Sequence, residues 1–178
     1  CLVRNITHVY IWGRDESKID KYIEDMKNFR DFKLVKCSSA ESAVKESEII
    51  ITTTPSNSPL ILNQWLQSGQ HITAMGSDAE HKNELDPEII LSCNCYVPDN
   101  LDQTRILGEL NHAITKKIID KDKKFTELGE IIKNPSLGRK TENDITVCDL
   151  TGTGVQDTAI ARYAFDLAKS KNMGMEIN

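Results

Sequence analysis

Short apolar runs alternate along this chain with segments whose apolar residues recur at helical spacing. Residues 8–12 are β-branched and aromatic and predict a strand. Gly13-Arg14-Asp15 ends it. Asp15 or Ser17 can then cap a segment in which Ile19, Tyr22, Ile23 and Met26 repeat as a helix does. Residues 32–37 predict a second strand, and Ser38-Ser39-Ala40-Glu41 opens a helix reaching about Ser47. Residues 48–53 (EIIITT) form the continuous apolar run of a strand buried in a parallel sheet. A short helix around Trp65 stops at Gly69, and residues 71–75 predict a strand. Asp86-Pro87-Glu88 starts a further helix, with proline in its first turn. Residues 94–97 predict a strand, 101–107, 113–119 and 125–132 short helices, and 144–150 the last strand. Residues 155–169 form the longest helix, whose stripe of Ala159, Tyr163, Ala164, Leu167 and Ala168 is expected to be buried.

This regular alternation predicts an α/β fold: a Rossmann-like, doubly wound, mostly parallel sheet with helices on both faces. Neither an internal repeat nor a linker divides it, so residues 1–178 are read as one domain. The first residues, Cys-Leu-Val-Arg-Asn-Ile, resemble the end of a helix and lack an initiator Met. The reading is therefore of a chain lacking the strand and most of the helix before Cys1.

Composition narrows the function classes. Hydrophobic residues make up 39% of the chain and charged residues 28%, as in a soluble globular domain. A net charge of −5 without a basic stripe argues against nucleic acid as a partner. No apolar run approaches the ~20 residues that span a bilayer, which argues against a membrane role, and no signal peptide opens the chain. Five cysteines at irregular spacing read as reduced thiols of a cytoplasmic protein. Cys93-Asn94-Cys95 lacks the spacing of a zinc pair, and no metal site is expected.

Candidate chemistry gathers at the strand ends. Gly13, Thr52-Thr53-Thr54, Gly76-Ser77-Asp78 and Thr151-Gly152-Thr153-Gly154 would share one edge of a parallel sheet, where ligands bind in open α/β folds. Small residues admit a flat ligand and hydroxyls bond it, as a dinucleotide requires. A G-x-G-x-x-G turn is absent from these residues; on the reading above it would precede Cys1. Arg14 stands where the ribose 2′ position is read and would accommodate the 2′-phosphate of NADP; the alternative is a surface pair with Asp15 or Glu16. On local grounds Asp78 reads as a turn or capping residue and Lys82 as a surface lysine.

The segments WGRD, SEIIITTTPSNSPLI, ITAMGSDAEHKNELD and ITVCDLTGTGVQDTAIA resemble, in order, the ornithine cyclodeaminase/mu-crystallin family across essentially the whole chain. The resemblance implies the cofactor-binding portion of an enzyme using NAD or NADP, lacking its first strand and the substrate and dimerisation domain. It implies hydride transfer between the α-carbon of an amino acid and the cofactor through an imino acid. In cyclodeaminases the imine is then attacked by a side-chain amine, and ammonia leaves. Asp78 matches the catalytic acid/base and also contacts substrate, and closure over the substrate is expected to desolvate it and raise its pKa. Gly13, Arg14, Thr52, Thr54, Ala74, Met75, Lys82 and Thr151 match cofactor contacts, and Gly152 a substrate contact. Three functions follow: an ornithine cyclodeaminase, an alanine dehydrogenase or ketimine reductase, or a crystallin-like NADP-binding protein without catalysis. The full-length protein is expected to be a homodimer, and this chain alone inactive.

Overall fold

A computed structural model of the chain describes residues 3–28 and 32–175. Cys1 and Leu2, part of the expected helix end, lie outside the described residues, and Val3 and Arg4 form a bend rather than helix. The first strand, β1 (His8–Ile11), leads into α1 (Glu16–Met26). Asp15 caps α1, its Oδ1 accepting from the Ser17 and Lys18 N–H groups at 3.0 and 3.4 Å. Next come β2 (Lys33–Lys36) and α2 (Ala40–Lys45), the latter opened by a Ser39–Ser42 capping box. The chain continues through β3 (Ile49–Thr52), a 3-10 turn at Asn63–Trp65 and β4 (His71–Ala74). Gly69 between them has φ +87°, and a Cβ there would lie 2.8 Å from the Glu142 carbonyl oxygen. Then follow α3 (Glu88–Ser92), β5 (Cys95–Pro98), α4 (Leu101–Thr104), α5 (Gly108–Thr115), α6 (Leu128–Lys133), β6 (Thr146–Asp149) and α7 (Gly154–Ser170).

Every strand pairing is parallel, as the alternation predicts. Among the described residues the strands form two sheets, β1 beside β2 and a four-stranded sheet in the order β3-β4-β6-β5. One face of the larger sheet is the core. Ile50, Ile72, Val147 and Tyr96 are buried there with Val44 of α2, Ile89 and Ile90 of α3, Leu101 of α4 and Leu110 and Ala113 of α5. On the opposite face Ile49 and Ile51 are exposed, the latter at 63%. At the amino ends of β4 and β6 the Arg139 guanidinium donates to the carbonyls of Gly69, Gln70, Glu142 and Asp144 and to Thr146 Oγ1. Burial there, with Arg139 nearby, holds the His71 imidazole below its ordinary pKa, a structural role for that histidine.

Two helix expectations are corrected. The helix placed at 113–119 runs over Gly108–Thr115. It starts early because Asp149, remote in sequence, accepts from the Glu109 and Leu110 N–H groups, and it ends where Lys117 takes φ 60°. The expected buried stripe of α7 is not buried: among the described residues no side chain of that helix falls in the buried class, and Tyr163 is 65% exposed. Helical periodicity identifies an apolar face but carries no information about what covers it. The four described cysteines are unpaired and half-buried. Burial pushes the Cys93 thiol up to about 12 and Cys148 to about 11, so neither is a ready nucleophile. No described helix is long and apolar enough to cross a membrane.

Candidate functional site

Parallel register places Thr52, Ala74, Asp149 and Pro98 in one row at the carboxyl end of the larger sheet. Ladder bonds run one residue further, from Met75 N to Thr52 O (3.0 Å), Leu150 N to Ala74 O (2.8 Å) and Asp99 N to Asp149 O (2.9 Å). The candidates at Thr52, Thr54, Ala74, Met75, Asp78, Thr151 and Gly152 therefore occupy adjoining strand ends. Thr52 and Ala74 are buried, and Thr52 Oγ1 has no hydrogen-bond partner among the described residues. Met75, Asp78 and Gly152 are exposed.

Glu84 ties two of these ends together. It is fully buried, and its two carboxyl oxygens accept from the N–H groups of Thr54 (2.5 Å) and Gly76 (2.8 Å). The loop that follows Gly76 presents Asp78 to solvent, with its Oδ1 2.5 Å from Lys82 Nζ. That bond holds the Asp78 carboxyl below the usual carboxylate range. The rise expected on closure over a substrate starts from this lowered value, set by a lysine four residues away. The loop is pinned beneath by Ser77 Oγ and His112 Nε2, both donating to the Lys82 carbonyl, at 2.5 and 2.6 Å.

The Thr151–Gly152 turn is held by residues that the sequence reading passed over. Asp99 accepts from the N–H groups of Thr151 (2.9 Å) and Gly152 (3.0 Å) and from Thr151 Oγ1 (2.9 Å). Gln103 donates to Thr151 Oγ1 and to the Gly152 carbonyl. Gly152 has φ +79° and open space where a Cβ would stand, so the main chain is bare at this point. A planar ring can approach such a surface.

Gly13 and Arg14 lie elsewhere, at the end of β1. Gly13, Trp12, Ile19, Lys36, Cys37 and Ser38 line a cavity of about 320 Å³ to which neither Asp78 nor Thr151 contributes. Arg14 is exposed. The surface pairing considered for it is not what the structure shows: Asp15 caps α1 and Glu16 pairs with Lys36 at 3.1 Å. Beneath the Asp78 loop the sequence reading missed three buried acids, Glu84, Glu109 and Asp149. Their only signal was an acid inside or next to an apolar run, as in ITVCDL.

A family model described as the ornithine cyclodeaminase/mu-crystallin family matches residues 2–172. The chain belongs to this family. An uncharacterised cyclodeaminase of Sinorhizobium fredii is 50% identical over 173 residues, covering 97% of this chain and 52% of that protein. A putative dehydrogenase of Rhizobium meliloti is 45% identical over the same shares. An archaeal alanine dehydrogenase dimer with bound NAD superposes with a TM-score of 0.90 at 33% identity, over 99% of this chain and 54% of that one. The chain thus spans about half the length of the relatives it matches. The family's members named in these comparisons include dehydrogenases, reductases and cyclodeaminases, and solved neighbours hold NAD+ or NADH.

Proposed function

We propose that residues 1–178 are the NAD(P)-binding portion of an enzyme that oxidises an amino acid, or reduces the corresponding imine, at the α-carbon. What supports this reading is the Asp78–Lys82 ion pair and the bare main chain at Gly152, which follow the adjacent strands β4 and β6 at one sheet edge. When bound, the cofactor supplies hydride acceptance and return. Thr151, Gly152 and Met75 would flank its ring, with Thr52, Thr54 and Ala74 behind them, and Gly13 and Arg14 would hold the adenosine ribose. Asp78, an ionised carboxylate at neutral pH that Lys82 holds below its usual range, takes a proton from the substrate's α-ammonium group. The free amine can then lose hydride from its α-carbon, leaving an imine and one released proton. In the reverse direction the Asp78 carboxyl returns the proton to nitrogen.

The identity with an uncharacterised cyclodeaminase favours a second outcome, in which a side-chain amine adds to the imine, ammonia leaves and hydride returns, as in ornithine to proline. The partners proposed are a small amino or imino acid and, for the full-length protein, a second copy in a homodimer. Arg14, exposed and free of Asp15 and Glu16, favours NADP.

The test is the full-length protein with L-alanine, L-proline or L-ornithine and either cofactor, followed by absorbance of the reduced nicotinamide. Net NAD(P)H marks a dehydrogenase; ammonia and a cyclic product without net NAD(P)H mark a cyclodeaminase. Asp78→Asn should lower turnover by about 10²- to 10⁴-fold with cofactor affinity unchanged. Retained turnover in that variant would refute the assignment and favour another proton donor.

A further inference from the structure

Glu109 and Asp149 are buried, at 1% and 0% exposure. Asp149 Oδ2 accepts from Tyr96 OH (2.6 Å) and from the N–H groups of Glu109 (2.9 Å) and Leu110 (3.3 Å), fastening the start of α5 to the end of β6. Gly108 makes room for this contact: its φ is +82°, and a Cβ there would stand 2.8 Å from Thr151 Cγ2. From α5 the Glu109 carboxyl reaches the other way. It accepts from the N–H groups of Glu84 (2.9 Å) and Leu85 (3.1 Å) and from Asn83 Nδ2 (2.6 Å). Three residues along the same helix, His112 holds the Lys82 carbonyl.

We propose that Glu109 is a positioning residue for Asp78, fixing the main chain at 83–85 and with it the loop that presents Asp78 and Lys82 to the Thr151–Gly152 turn. The inference rests on the reading of Asp78 as the proton-transfer group. A buried carboxyl is costly, and an apolar side chain would fill the same space without that cost. The Glu84 and Leu85 N–H groups, however, belong to no helix or sheet ladder, and Glu109 is the acceptor they have. The helix is thereby bonded to both halves of the edge, to the β6 end through Asp149 and to the Asp78 loop through Glu109 and His112. Loss of the second set of bonds frees the loop and leaves the sheet intact.

Glu109→Gln in the full-length protein tests this, because its amide would point a donor at the Leu85 N–H and the Asn83 amide. Exchange of the Glu84 and Leu85 amides should quicken by about tenfold or more, with β4 and β6 unchanged. Turnover should fall by about a hundredfold while cofactor Kd shifts by less than about threefold. Unchanged exchange at 84–85, or quickened exchange with normal turnover, overturns the proposal. A fall in cofactor affinity equal to the fall in turnover also overturns it, as it would show a general loss of structure. Should Glu109→Gln not fold, Asn83→Ala removes one of the three donors, and unchanged turnover in it overturns the proposal equally. Full activity in Asp78→Asn refutes the catalytic reading separately, and the exchange measurement still reports whether Glu109 holds the loop.

Discussion

An alanine at position 76 would set its Cβ 2.3 Å from the Thr54 carbonyl oxygen and 2.4 Å from the Glu84 carboxyl carbon. Neither neighbour can yield easily. The first is main chain, and the second is a buried side chain bonded to both strand ends. Relief requires moving the 76–78 segment away from Thr54 by about an ångström, which breaks at least one bond to Glu84. Overpacking of this kind costs about 1–3 kcal/mol and a buried N–H without an acceptor a further 1–3 kcal/mol, so Gly76→Ala should destabilise by about 2–6 kcal/mol. Gly129→Ala is the control. It lies in α6 with nothing within 4 Å of its added Cβ, and should stabilise by about 0.5–1 kcal/mol through helix propensity. Urea unfolding of both variants beside the parent measures the difference. A Gly76→Ala unfolding free energy within about 1 kcal/mol of the parent would refute the idea that the Asp78 loop and the β3 end are in close contact through Glu84.

Burial pushes Asp149 up to about 7. The folded protein then keeps a proton there that the unfolded chain releases above about pH 4. Its contribution to stability is therefore fully present below about pH 4 and is lost as pH rises to about 7. In Asp149→Asn the amide oxygen can take the Oδ2 position and keep all three bonds, and the amide nitrogen falls where Oδ1 has no partner. That variant should match the parent in urea at pH 5 and exceed it at pH 8; an equal pH dependence would show that Asp149 does not contribute to it. Lys82→Gln removes the cation that lowers Asp78, so the acid limb of the kcat/KM profile should move to higher pH. A limb that stays in place would exclude Asp78 as the titrating base.

How much of the site was legible depended on range. The strand ends bearing Thr52, Met75, Asp78 and Thr151 could be read locally, since a parallel sheet puts the carboxyl ends of its strands on one edge. The Lys82–Asp78 bond, between residues only four apart, holds the Asp78 carboxyl below the usual range before any substrate closes over it. Asp99, Gln103 and Glu109 were invisible. Each acts on main chain between about 25 and 53 residues distant, and a lone acid or amide carries no mark of such a partner.

The sequence by itself determined the element types, the parallel pairing and the family, because periodicity, glycine placement and the motifs around Asp78 and Thr151 are local properties. Only the tertiary structure decided where α5 begins, that α7 keeps its apolar face exposed, and that Glu84, Glu109 and Asp149 are buried beneath the loop. A helix start, a helix partner and a buried charge each depend on an atom supplied from elsewhere in the fold. For Asp78 that means its place at the edge is written in its own segment, whereas its bearing is set by Glu84 and by an acid on α5.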